Sequence, residues 1–407
     1  MKILCLMGLF PKEYEQTILD NSCGGVQNAA NKFQWGIVNG LCALPGVECK
    51  ILNSLYIGSY PRRYKQLKIP TFPFDHGCEA SDLNVGFTNL TGYKVISRYH
   101  TLKREILRWI EETNGEQQVV LAYAMTSPMV ELLQYIKKNY EQIICLLVVP
   151  DLPEYMNVSS SNTAVYRFCK GVQIRHFRNA LKPVDGYILL TKYMAEWFPW
   201  EIRYTVMEGL CSQKPSEYPA VDIAEKRKWV LYAGMIDEKY GVLELVKAFA
   251  QIDLPDWSLE LFGNGPALAE IRKLTREDPR IHIRGLAPNA QVVEEQQHAE
   301  ILVNPRSDTH AFTKYSFPSK VMEYFASGTP MVGYQLSGMP DEYLDYFYRI
   351  PAGEAGAMKA VLEYVMTLSS EERREMGRKA FDFVTVEKCA QKQCEKIVRL
   401  ISCCEKT

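Results

Sequence analysis

The stretch TKYSFPSKVMEYFASGTPMVGYQLSGMPDE, residues 313–342, decides the fold. It reads as a loop, a helix starting at Pro318-Ser319-Lys320, a Gly328-Thr329-Pro330 break, a short apolar strand, and a second Gly-Pro turn into Asp341 and Glu342. A strand apolar on both faces and reached through a helix belongs to a parallel α/β sheet. The helix carries one carboxylate, Glu323, inside the otherwise apolar run from Val321 to Ala326, where an unpartnered charge would be costly. Free N–H groups at a helix start suit an anion. A carboxylate about one and a half turns further in can accept both hydroxyls of a ribose. The stretch therefore reads as the grip on a diphosphate and its ribose, the handle of a nucleotide-sugar.

The same alternation extends outward from that stretch. Behind it, strands are expected at 228–233, 257–262, 281–284, 300–304 and 330–334, with helices at 242–251, 266–276, 290–298 and 318–327. In the first half, strands are expected near 2–8, 117–122, 143–149 and 186–190, with helices near 25–42, 93–112, 127–139 and 164–181. Residues 43–92 are less periodic and rich in Pro, Gly and Tyr, and read as an insertion with some strand and long loops. The best linker is 209–227. The expected fold class is α/β: two doubly wound, Rossmann-like domains facing across a cleft, with ligands at the carboxyl ends of the strands. Their bounds are 1–210 and 211–385, a helix at about 386–407 rejoining the first.

At 407 residues the chain exceeds what one hydrophobic core usually supports. A net charge of −1 excludes a general nucleic-acid binder, whose affinity comes from neutralising phosphates. The twelve cysteines form no CxxC pair, and Cys5, Cys145 and Cys169 sit in apolar runs, which reads as reduced thiols in a cytoplasmic protein. The apolar opening at Met1–Phe10 is read as a first buried strand rather than a signal peptide, and no apolar run is long enough to span a membrane. The histidines show no metal-ligand spacing, so no metal site is expected.

Four clusters fall at expected strand ends. Gly24 and Gly25 follow the first strand and open a helix; Gly234 and Lys239 follow the strand at 228–233. Gly263 begins a Gly-rich turn, and Gly285-Leu286 ends the next strand, where backbone groups could meet a base edge. Arg306 heads the loop leading to Tyr315, Pro318, Ser319, Lys320 and Glu323. An exposed Glu323 paired with Lys320 three residues earlier is the competing structural reading.

From 228 to about 345 the chain resembles the nucleotide-binding domain of the group 1, retaining glycosyltransferases of the two-domain GT-B fold. It is most similar to bacterial capsular and exopolysaccharide sugar transferases. The likeness is carried by FTKYSFPSKVMEY at 312–324 and extends to LNSLYIGSYP at 52–61, AANKFQW at 29–35 and Asp151-Leu152-Pro153-Glu154-Tyr155-Met156. The resemblance implies an acceptor-binding first domain and a nucleotide-sugar-binding second domain. The family's paired glutamates fall on Tyr315 and Glu323, so the ribose ligand is kept and the donor-sugar ligand is changed. The usual phosphate arginine is replaced in Gly234-Met235, and the usual Lys-Gly becomes Lys239-Tyr240-Gly241. The family's sugar-contacting histidine is replaced near Pro150-Asp151.

The resemblance implies a metal-independent hexosyl transfer with retention, from a nucleoside diphosphate sugar to an acceptor hydroxyl, and no cofactor. Arg306, Lys239, Lys320 and the helix start at Pro318-Ser319 would stabilise the leaving diphosphate, with Asp151 orienting sugar or acceptor. Gly234, Gly263, Gly285, Leu286 and Glu323 would hold the nucleotide. Gly24, Gly25, Tyr315, Ser337, Gly338 and Glu342 would meet the donor sugar or acceptor. The acceptor implied is a lipid-linked glycan at the inner face of the plasma membrane. Basic aromatic helices at 93–109 and 164–182 suggest peripheral contact with that surface. A nucleotide-sugar epimerase and a non-catalytic nucleotide-sugar binder are the alternatives. A two-domain NAD enzyme is disfavoured because GxGxxG is absent.

Overall fold

The computed structural model describes residues 1–24, 26–77, 81–155, 164–219, 221–276, 278–308 and 311–405. Gly25 and Met156 lie outside the described residues. Contacts divide the chain into two units, Met1–Leu210 with Ala390–Thr407, and Cys211–Cys389.

The first unit contains strands β1 (Lys2–Met7), β2 (Glu48–Asn53), β3 (Lys68–Ile69), β4 (Phe72–Phe74), β5 (Asp82–Asn84), β6 (Phe87–Thr88), β7 (Gln118–Tyr123), β8 (Ile144–Val149), β9 (Gly186–Leu189) and β10 (Tyr204–Val206). Its helices are α1 (Glu15–Asn21), α2 (Asn28–Cys42), α3 (Tyr93–Glu112), α4 (Ser127–Asn139) and α5 (Ala164–Leu181). Eight strands form one sheet in the order β10-β9-β8-β7-β1-β2-β5-β4. Only β4 in this sheet runs antiparallel to its neighbour. β7, β8 and β9 are buried throughout, as Val/Leu/Ile-rich strands covered on both faces must be.

Residues 43–92 are not simply an insertion, because β2 lies beside β1 at the centre of the sheet. Its apolar signal is short because its last residue is a buried polar one. Asn53 donates to the Leu9 carbonyl (3.0 Å) and to Asn84 Oδ1 (3.0 Å), which satisfies its buried amide nitrogen.

The second unit contains β11 (Arg227–Ala233), α6 (Val242–Ala250), β12 (Ser258–Phe262), α7 (Leu268–Leu274), β13 (Ile281–Gly285), α8 (Asn289–His298), β14 (Ala299–Asn304), α9 (Ser319–Ala326), β15 (Met331–Tyr334), β16 (Tyr348–Ile350), α10 (Ala357–Thr367) and α11 (Ser370–Glu387). Its sheet is parallel, in the order β13-β12-β11-β14-β15-β16. Glu300 at the start of β14 pairs with Arg373 of α11 at 2.9 Å, both side chains more than nine-tenths buried. α11 opens with a capping box between Ser369 and Glu372, which satisfies N–H groups the helix cannot.

The last described helix, α12 (Ala390–Cys404), returns to the first unit. There it buries Cys394, Ile397, Leu400 and Ile401 in the core beside Ile37 and Leu41 of α2. A Cβ on Gly40 would lie 2.3 Å from the Ala390 carbonyl oxygen, so the two helices meet closely because that position has no side chain. No helix among the described residues is long and apolar enough to cross a membrane.

Candidate functional site

In the second unit the sheet order brings Gly285, Gly263, Gly234 and Arg306 to the carboxyl ends of four adjacent strands. The glycines first serve one another. Gly263 has φ 138°, and a Cβ there would fall 1.8 Å from the Gly234 carbonyl oxygen. Gly234 N–H donates to the Phe262 carbonyl (2.9 Å), Gly263 N–H to the Gly285 carbonyl (2.7 Å), and Ile236 N–H to the Asn264 carbonyl (3.0 Å). The three strand-end loops thus lie on one another as a single backbone layer. At the rim of this layer Met235 and Leu286 are exposed, Leu286 by 78%.

α9 is fixed to the same layer by Tyr324. Its buried hydroxyl accepts from Ala233 N–H (3.0 Å) and donates to the Ala233 carbonyl (3.3 Å), bonding to the last residue of β11. The helix begins after Pro318, whose ring fixes φ near the helical value, and ends at Gly328 with φ 69°. Arg306 is buried to 9% exposure, donates from Nη2 to Ser316 Oγ (2.8 Å), and lies 6.0 Å from the Tyr240 ring centre. Burial lowers its pKa from the ordinary arginine value.

Glu323 is half-buried, and its Oε1 accepts from Gln296 Nε2 (2.7 Å) and from Lys320 Nζ (2.8 Å). The carboxylate is therefore positioned from two sides rather than directed into bulk water. Lys320 is engaged by Glu323, and exposed Lys239 pairs with Asp237 (3.3 Å). Neither cation is devoted to a diphosphate as the protein stands. Tyr315 ends a short helical turn at 311–315. Ser337 bonds the Asp308 carboxylate, Gly338 is buried, and Glu342 pairs with Lys388.

Gly24 and Asp151 belong to the first unit. They line an open cavity of 1080 Å³ together with Tyr56, Arg63, Lys94, Arg98, Thr126 and Lys170. Asp151 is exposed to this cavity, yet the surrounding protein thins its solvent and pushes its pKa up to about 6. Arg98 is buried to 8% exposure, donates from Nη2 to the Ser54 carbonyl (2.7 Å) and to the Leu55 carbonyl, and stacks 4.5 Å from the Phe87 ring centre.

The basic face expected on 93–109 is accordingly smaller. Arg98 and Trp109 are buried, Lys94 lines the cavity, and Arg104 and Arg108 both pair with Glu105. Cys5 and Cys145 are buried, but Cys169 is exposed on α5, so its apolar neighbours misled. Folding also brings Asp75, His76 and Asp82 together, their ligand atoms within 4.8 Å. Asp82 uses Oδ1 on Ile51 N–H (2.8 Å) and Oδ2 on the His76 ring, which raises the His76 pKa to about 10. His76 and Asp82 form a buried ion pair in this arrangement.

Residues 213–383 match the family model described as glycosyl transferases group 1. A 213-residue stretch is 29% identical to an exopolysaccharide phosphotransferase of Streptomyces coelicolor, taking in 49% of this chain and 21% of that protein. The chain thus spans about a fifth of that relative's length. Among solved structures, a sucrose-phosphate synthase from Thermosynechococcus elongatus superposes with TM-score 0.64 at 16% identity, covering 99% of this chain and 98% of that one. Anabaena HepE in complex with UDP gives TM-score 0.63 at 12% identity, covering 99% and 100%. The lipopolysaccharide outer core galactosyltransferase WaaB gives 0.59 at 13%, covering 99% of each chain. The fold is the two-domain GT-B fold of these glycosyltransferases.

Proposed function

We propose that the protein transfers a hexosyl group from a nucleoside diphosphate sugar to an acceptor hydroxyl with retention of configuration and without a metal ion. The carrying observation is the layer of strand-end backbone formed by Gly234, Gly263 and Gly285, fixed by Tyr324 to the helix that bears Glu323. Backbone amides and a helix start can receive a diphosphate, and the positioned carboxylate can hold the ribose. Arg306 would stabilise the charge that gathers on the departing diphosphate, and its burial strengthens that interaction. Lys239 and Lys320 can join it by exchanging their carboxylate partners for phosphate. In front-face displacement the leaving phosphate takes the acceptor proton. Asp151 would orient the acceptor hydroxyl or the sugar from the first unit.

The family match and the HepE complex with UDP support a nucleotide-sugar donor. The relative's exopolysaccharide name supports a role in exopolysaccharide synthesis; capsule synthesis and a lipid-linked glycan as acceptor are the finer parts of this proposal. Peripheral attachment at the cytoplasmic face of the membrane would use Tyr93 and Ile96 of α3 and Phe168 of α5, all exposed aromatic or aliphatic residues near basic ones.

The test incubates purified protein with UDP- and GDP-hexoses and an extract of lipid-linked glycans, and follows nucleoside diphosphate release and the anomeric signal of the product. Transfer with the donor's configuration supports the proposal. Isomerised donor without transfer would favour an epimerase, and tight nucleotide-sugar binding without turnover would favour a binder.

A further inference from the structure

We propose that the cavity of the first unit is an anion site that holds a phosphate or diphosphate on the acceptor, through Arg98, Lys94 and Arg63. This rests on the reading of that unit as the acceptor side of a transferase and names the chemistry its acceptor must carry.

Five cationic side chains, those of Arg62, Arg63, Lys94, Arg98 and Lys170, line this cavity, against one carboxylate, Asp151, among the described residues. Arg98 is the most informative of them. It is more than nine-tenths buried, and the groups facing its guanidinium are carbonyls and the rings of Tyr56 and Phe87. Its Nε is buried with no hydrogen-bond partner. A guanidinium taken out of water without a counter-charge is an unfavourable arrangement, and an anion entering the cavity supplies what is missing.

Lys94, one turn earlier on the same helix, donates to the Ile57 carbonyl (3.2 Å) and feels the positive charges of Arg98 and Arg63. Three like charges held together in a partly desolvated pocket are costly unless an anion binds between them. A phosphate answers this set chemically, since it has several acceptor oxygens and matches the planar fork of arginine. The volume, 1080 Å³, accommodates a sugar beside the phosphate. Two sources share this chemistry, a soluble sugar phosphate and the diphosphate that joins a glycan to a lipid carrier.

The experiment measures inorganic pyrophosphate binding to the full chain by calorimetry, for wild type, Lys94→Gln, Arg63→Gln, Arg98→Met and the control Lys379→Gln. Lys94→Gln and Arg63→Gln should each weaken pyrophosphate by about tenfold or more. Lys379→Gln, on the exposed surface of α11 and outside both proposed sites, should not. If Arg98→Met fails to fold, the two partly exposed positions carry the test. Absence of wild-type binding, or wild-type affinity in both Lys94→Gln and Arg63→Gln, overturns the proposal. Nucleoside diphosphate binding is titrated in parallel, so failure of the transferase reading shows there and not in the pyrophosphate comparison.

Competition then separates the sources. Displacement by a hexose monophosphate identifies a soluble acceptor. Displacement by phosphatidylcholine vesicles carrying a polyprenyl diphosphate, but not by the same vesicles without it, identifies a lipid carrier. Displacement by neither overturns the assignment to an acceptor.

Discussion

Replacing Gly263 by alanine tests whether the strand-end loops act as one template. The new Cβ would start 1.8 Å from the Gly234 carbonyl oxygen, and φ 138° is a backbone conformation other residues rarely adopt. Carbon and oxygen rest no closer than about 3.3 Å, so the two loops must part by about 1.5 Å. That movement stretches the Gly234-to-Phe262 bond from 2.9 Å and the Gly263-to-Gly285 bond from 2.7 Å beyond useful length. Two backbone bonds at about 1 kcal/mol each, with about 1–2 kcal/mol of conformational strain, make a loss of about 3–4 kcal/mol. A displacement of this size should also weaken nucleoside diphosphate binding by about a hundredfold, as misplacement by 1 Å can.

Gly285→Ala is the internal control, because Gly285 has φ 75° but nothing within 4 Å of its added carbon. It should lose only the strain, about 1–2 kcal/mol. Urea unfolding monitored in the second unit gives the stabilities, and calorimetry with nucleoside diphosphates gives the affinities. A Gly263→Ala protein that binds nucleotide like wild type, or that matches Gly285→Ala in stability, would refute the idea of a shared layer.

Arg306→Ala should lower turnover by about 10²–10³ while the melting curve stays near wild type, read by nucleoside diphosphate release and circular dichroism. Glu300→Ala strands Arg373 without its buried partner and should cost about 3–5 kcal/mol in urea unfolding, whereas the exposed Lys379–Glu375 pair should be worth under about 1 kcal/mol. The Lys94 pKa is pushed down to about 8 by burial first, then by Arg98 and Arg63. Deprotonation removes the attraction, so pyrophosphate affinity should fall as pH rises through 8, and Lys94→Gln should flatten that dependence. Desolvation by the surrounding cavity walls raises the Asp151 pKa to about 6. If its carboxylate orients the reactants, kcat should climb between about pH 5 and 7, and Asp151→Asn should remove that limb.

The sheets were largely legible because their strands are apolar on both faces and separated by helices with a clear 3.6-residue stripe. β2, β10 and β16 were not, being short or ending in polar residues whose burial depends on partners distant in sequence. The glycines were legible at their strand ends and Glu323 on its helix, but their mutual support was not, since contact between strand-end loops is a tertiary fact. Gln296 escaped for the same reason: nothing in α8 marks its amide as the donor to Glu323. Arg98 had a readable signal. It stands four residues before Leu102 and in line with Ile106 and Trp109 on the buried stripe of α3, and a basic residue on that stripe belongs inside.

Because α12 completes the core around Ile37 and Leu41, the second unit is inserted between two pieces of the first. During synthesis the amino-terminal sheet must wait, its α2 side uncovered, until residues 390–404 have emerged, while residues 211–389 can close on themselves earlier. Fragment design follows the same logic. The inserted half is the natural candidate for independent expression, and the other half requires a short linker in place of the excised segment.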